Sequence, residues 1–127
     1  GELRAALLER GARLLDRVGL LLAGHDPAPA LLHGDLWSGN WLVNRRDARP
    51  YTFDPAVYHG DPEVDLAMTE LFGGFGPRFY DAYHRVAPPR PGYAVRRELY
   101  NLYHLLNHAN LFGAGYARQA LAAVDRL

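Results

Sequence analysis

Two aspartates and an asparagine carry the residue types and spacing for chemistry. The run His33-Gly34-Asp35-Leu36-Trp37-Ser38-Gly39-Asn40 sets an aspartate two residues after a histidine and an asparagine five residues after the aspartate. An aspartate in such a loop can orient an attacking hydroxyl and accept its proton. An asparagine on the same loop can offer an oxygen to a magnesium ion that clamps nucleotide phosphates. The metal also needs an acid, and Asp54 lies fourteen positions after Asn40. Together these groups suit transfer of a phosphoryl group to an alcohol. Any one of them alone is better read as a turn or cap residue, because aspartate and asparagine favour such places. Three of them at mutually consistent spacing form a constellation rather than one lone match.

The surrounding sequence must bring the three together. Trp41-Leu42-Val43 and Tyr51-Thr52-Phe53 read as short strands around the polar turn 44–50, a hairpin with Asn40 at one end and Asp54 at the other. Ala30-Leu31-Leu32 is a brief buried strand or an extended entry to the loop. Residues 57–62 read as a loop rich in glycine, proline and aromatics. Leu3, Leu7, Leu14, Val18 and Leu21 recur at helical spacing and predict one amphipathic helix from Glu2 to about Leu22, ended by Gly24, Pro27 and Pro29. Further helices are expected from Glu63 to about Phe72, Arg78 to Val86, Ala94 to about Phe112, and Tyr116 to Leu127. The run 73–77 breaks the chain between the first two of these. Gly74-Phe75-Gly76 lacks the third glycine of a phosphate loop and follows a helix, so it carries no weight as one. The fold class is α+β, mainly helical, in one domain spanning 1–127.

Composition excludes several function classes. With 14 basic and 14 acidic residues the formal net charge is zero, which leaves no electrostatic basis for a general nucleic-acid binder. There is no cysteine, so disulfides, thiolate metal sites and a cysteine nucleophile are out. No apolar run approaches the roughly 18 to 20 residues that span a bilayer. A cytoplasmic protein that does not engage membranes is expected.

The spacing H-x-D-x-x-x-x-N is that of the protein-kinase catalytic loop, and Asp54 follows the second strand where kinases hold magnesium. H-G-D in place of H-R-D, and Asp54-Pro55-Ala56 in place of D-F-G, resemble the small-molecule branch of that fold, which includes aminoglycoside, choline and fructosamine kinases. The longer strings Leu31–Asn40, Asp54–Met68, Glu70–Phe75, Phe79–His84 and Leu106–Tyr116 are most similar to fructosamine (ketosamine) kinases. The resemblance runs along nearly the whole chain from Leu31. It implies the C-terminal lobe of a protein-kinase-like fold, with the hairpin carrying the catalytic and metal loops. It further implies ATP-dependent phosphorylation of a sugar hydroxyl on a free or protein-bound ketosamine, the step that leads to deglycation. Asp35 would be the catalytic base, Asn40 and Asp54 the Mg²⁺ ligands, and Trp37 a face against the sugar. Two alternatives stay open: a phosphotransferase for another alcohol, of the aminoglycoside or choline type, and a non-catalytic binding or assembly module.

A kinase also needs a glycine-rich loop and a strand lysine over the phosphates. The chain has neither, and every basic residue is arginine. A fragment without its nucleotide-binding N-terminal lobe is therefore expected, inactive by itself and able to self-associate through the exposed lobe interface.

The remaining polar residues divide by context. His33 reads as loop support, since Asp35 already supplies a base. Asp65 reads as a brace for the catalytic loop rather than a surface acid, and Asp61 as a helix cap or a loop-fixing residue. His104 and His108 share a helix face with Tyr100, Asn107 and Leu111, a stripe that would either line an acceptor pocket or form a satisfied, partly buried surface. Their four-residue spacing also fits a zinc pair, but the glutamate of H-E-x-x-H is missing.

Overall fold

The computed structural model describes residues 1–127. Six helices and four three-residue strands follow in the order α1 (Glu2–Leu15), α2 (Val18–Leu21), β1 (Ala30–Leu32), β2 (Trp41–Val43), β3 (Pro50–Thr52), β4 (Tyr58–Gly60), α3 (Glu63–Leu71), α4 (Pro77–Val86), α5 (Tyr93–Phe112) and α6 (Ala114–Arg126). A 3₁₀ turn, Ser38–Asn40, precedes β2. No helix is long and apolar enough to cross a membrane. The chain divides into two compact units, one made of residues 1–26 and 94–127 and the other of residues 27–93.

In the first unit α1 packs along α6. Leu14, Leu102, Leu105, Ala120, Ala123 and Val124 are buried. Arg10 pairs with Asp125 at 2.5 Å, and Arg126 reaches Glu98 at 2.8 Å. The single helix expected over 2–22 is broken. Arg17 N–H donates to the Leu14 carbonyl at 2.8 Å, a tight turn that ends α1 before the short α2 begins. The apolar spacing continues across the break, which is why periodicity alone passes over it. Gly24 then takes φ 76°, a left-handed conformation that glycine adopts without a Cβ penalty and that commonly ends helices.

The second unit holds two antiparallel strand pairs and two helices. The expected hairpin is present as β2 and β3, with Trp41 opposite Thr52, Leu42 opposite Tyr51 and Val43 opposite Pro50. The other pair joins β1 to β4, with Ala30 opposite Gly60 and Leu32 opposite Tyr58. β4 falls where a loop is expected. Its three residues, ending in glycine, are too short to show a strand pattern, and it is recruited by a partner 26 to 30 residues earlier in the chain.

Helix α3 buries Leu66, Ala67, Met68 and Thr69. The Thr69 hydroxyl donates to the Leu66 carbonyl at 2.6 Å, which satisfies it inside the core. Asp61 Oδ1 accepts the Glu63 N–H at 2.9 Å, capping the start of α3. Pro77 occupies the first turn of α4, where its missing N–H costs nothing.

Candidate active site

The loop between β1 and β2 is shaped by three side chains that bond mainly to its backbone. Asp65, in the first turn of α3, accepts the His33 N–H at 2.7 Å and the Gly34 N–H at 2.9 Å, one on each oxygen. A carboxylate there also gains from the positive end of the helix. His33 Nδ1 accepts the Asp35 N–H at 3.2 Å, while Nε2 lies 2.9 Å from the Phe53 carbonyl. Both bonds hold at once only for the neutral ring protonated on Nε2, which donates to Phe53. Asn40 is buried, and its Nδ2 donates to the Asp35 carbonyl at 2.9 Å and to Asp35 Oδ2 at 3.1 Å.

Asp54 is tied to this loop through its neighbours. Phe53 N–H donates to the Asn40 carbonyl at 3.0 Å, and Ala56 N–H donates to the His33 carbonyl at 2.8 Å. Asp54 itself sits at φ 49°, a left-handed conformation that aspartate tolerates better than most residues. Gly34 explains why this loop reads H-G-D. It takes φ 84°, and a Cβ there would fall 1.9 Å from the Ala56 carbonyl oxygen. An arginine in its place would block the approach of the Asp54-Pro55-Ala56 segment.

What these bonds leave open is as informative as what they hold. The Asn40 amide spends its nitrogen on Asp35, so its oxygen is free to accept or ligate. Asp35 keeps one carboxylate oxygen without a partner in the chain, and the exposed Asp54 carboxylate has none. Two oxygen donors on adjoining, mutually bonded segments suit a hard cation such as Mg²⁺ rather than a soft one. A remaining carboxylate oxygen on the same loop suits a proton acceptor.

Trp37 is 38% exposed. Its ring lies over Gly39, where a Cβ would fall 2.2 Å from the nearest ring carbon, and meets the Phe72 ring edge-on with centroids 6.3 Å apart. The Tyr83 hydroxyl is pushed above its ordinary range by burial and then by the negative charge of Asp65, Asp61 and Glu63. His104 and His108 lie on α5 within the first unit, not in the unit that holds the loop. The His108 ring Nδ1 donates to the His104 carbonyl at 2.8 Å, the local satisfaction expected of a helix-face histidine. Sequence reasoning did not single out Gly34 or Gly74 as close-approach glycines. The replacement of the usual arginine by Gly34 was the available signal for the first, and the Gly73-Gly74 pair directly after a helix for the second.

Comparison with known proteins places the chain in a family. Residues 3–127 match the family described as fructosamine kinase. A Synechocystis protein carrying the provisional name of ketoamine kinase is 55% identical over 117 residues, covering 92% of this chain and 39% of the relative. The chloroplastic protein-ribulosamine 3-kinase of Oryza sativa subsp. indica is 45% identical over 121 residues, covering 95% of this chain and 35% of the relative. A crystal structure from Thermobifida fusca, provisionally named a fructosamine-3-kinase, superposes with a TM-score of 0.83 at 39% identity, covering 96% of this chain and 43% of that one. The chain thus spans about two fifths of the length of the relatives it matches. It belongs to the fructosamine kinase family.

Proposed function

We propose that this chain supplies the catalytic half of an ATP-dependent kinase that phosphorylates a sugar hydroxyl of a ketosamine, free or protein-bound. The observation that carries it is the Asn40 side chain, whose nitrogen bonds to both the carbonyl and the carboxylate of Asp35 while its oxygen stays open. Asp35 orients the acceptor hydroxyl with its unpartnered oxygen and takes its proton as that hydroxyl oxygen bonds to the γ-phosphorus of ATP and the bond from phosphorus to the β–γ bridging oxygen breaks, releasing ADP. Asn40 and Asp54 hold Mg²⁺, which when bound neutralises charge on the phosphates. His33 and Asp65 fix the loop that carries Asp35. Trp37, held against Gly39 and Phe72, presents an aromatic face to the sugar.

The nucleotide-binding lobe belongs to a part of the parent outside this sequence. The absence of any lysine and of a glycine-rich phosphate loop supports this, as does the share of the relatives that the chain spans. The exposed apolar residues Leu42, Val43 and Tyr51 on the hairpin fit a surface that further chain covers.

The experiment is Mg²⁺- and ATP-dependent stabilisation of the full-length parent, followed by turnover with ketosamine, aminoglycoside and choline acceptors. Turnover with the ketosamine alone is the expected result. Turnover confined to another acceptor would reassign the substrate, and none with any acceptor would favour a binding module.

A further inference from the structure

We infer that the turn Phe72-Gly73-Gly74-Phe75, which joins α3 to α4, is a positioning element for the catalytic loop, an inference that rests on the catalytic reading of that loop. Three contacts in a row tie the two segments together. The rings of Phe72 and Trp37 meet edge-on, with centroids 6.3 Å apart. Gly74 lies directly against Ser38, so closely that a Cβ on Gly74 would sit 2.4 Å from Ser38 Cβ and 2.8 Å from its hydroxyl oxygen. Phe75 meets Trp41 at 5.6 Å and stacks onward to Phe79 at 4.8 Å. Ser38 opens the 3₁₀ turn and Asn40 closes it.

The turn is half-buried, with Gly39 exposed, and is held at two points. The Trp37 ring covers Gly39 on one side and Gly74 abuts Ser38 on another. A displacement of Ser38 has only one intervening residue, Gly39, in which to dissipate before it reaches Asn40. That residue is buried and bonded to Asp35 at two atoms, so the displacement is passed to both the ligand and the base. Of the three contacts the middle one is the tightest. Phe75 and Trp41 border a cavity of about 420 Å³, together with Leu36, Pro50, Thr52 and Phe79, so that pair has room to relax.

Gly73 and Gly74 give a matched test. Both have left-handed backbones, φ 71° and 91°, so alanine strains both. Only Gly74 has a neighbour within reach; around Gly73 nothing lies within 4 Å of an added Cβ. In the full-length parent, Gly74→Ala should lower kcat on the order of tenfold or more, because small misplacements of reacting groups are costly. It should also raise the Mg²⁺ concentration needed for half-maximal stabilisation by ATP, a readout that needs no acceptor. Gly73→Ala carries the backbone strain without the clash, so it should lose thermal stability, though less than Gly74→Ala, and leave both quantities within about twofold of wild type. The contacted atoms belong to the Ser38 side chain, and Ser38 Cα is at an ordinary 3.8 Å. Ser38→Gly in the Gly74→Ala background should therefore recover most of the lost Mg²⁺ response.

Equal Mg²⁺ response and kcat for the two alanine variants, or no rescue by Ser38→Gly, would overturn the inference. A split in Mg²⁺ response without turnover of any ketosamine would leave the positioning role intact and remove the assigned acceptor. A wild-type parent without Mg²⁺-dependent ATP stabilisation would remove both.

Discussion

The catalytic loop and the tip of the hairpin are two polar segments of the same unit that use their acids in opposite ways. At the tip, residues 44–49, every acidic and amide group is turned inward on the turn itself. Asp47 accepts the Arg49 N–H at 3.0 Å and the Tyr51 hydroxyl at 2.6 Å, and Asn44 accepts the Arg46 N–H at 2.9 Å. In the loop, Asp65, His33 and Asn40 bind backbone groups, while Asp54 and one oxygen of Asp35 are left without partners. A turn that only reverses the chain satisfies its own acids. The loop proposed for chemistry has its backbone held from outside and leaves acid oxygens without partners in the chain.

The contrast can be broken from its strongest point downward. Asp35→Ala should cost on the order of 10²- to 10⁴-fold in kcat with little change in melting temperature, measured by steady-state kinetics beside thermal unfolding. Asp54→Ala should abolish Mg²⁺-dependent stabilisation by ATP, and a response equal to wild type would remove Asp54 from the metal site. Asp65→Ala strips two partly buried N–H groups of a charged acceptor and should destabilise by about 2 to 4 kcal/mol in denaturant unfolding. Its activity should fall further than its folded fraction, because the loop loosens before the unit unfolds.

The smallest effect belongs to the tip. The Tyr51 hydroxyl, and after it the Arg49 N–H, hold the Asp47 carboxyl below the usual carboxylate range. A carboxyl depressed in the folded state contributes stability above its unfolded pKa and loses that contribution as pH falls through the folded value. Asp47→Asn should therefore flatten a slight acid-side decline in the unfolding midpoint and leave turnover unchanged. A loss of turnover in Asp47→Asn would erase the distinction between the two segments.

The spacing of Asp35, Asn40 and Asp54 and the hairpin between them were legible because both are local. Strand, polar turn and strand follow within thirteen residues, and the motif residues sit at the hairpin's ends. The pairing of β1 with β4 was not legible, since three-residue strands separated by a whole hairpin leave no periodicity to read. The break after Leu15 was hidden by apolar residues that keep helical spacing through it. Glycines forced by close approach, Gly34 beneath the Ala56 carbonyl and Gly74 beside Ser38, depend on neighbours distant in the chain, and a lone sequence shows only that glycine stands there.

The most direct test of the central claim is phosphoryl transfer from Mg-ATP to a simple fructosamine by the full-length parent, run beside Asp35→Ala. The expected result is turnover in the parent and its loss in the variant, with both proteins folded. Equal turnover in the two would contradict the assignment of Asp35 as the base, and the catalytic reading of the loop with it.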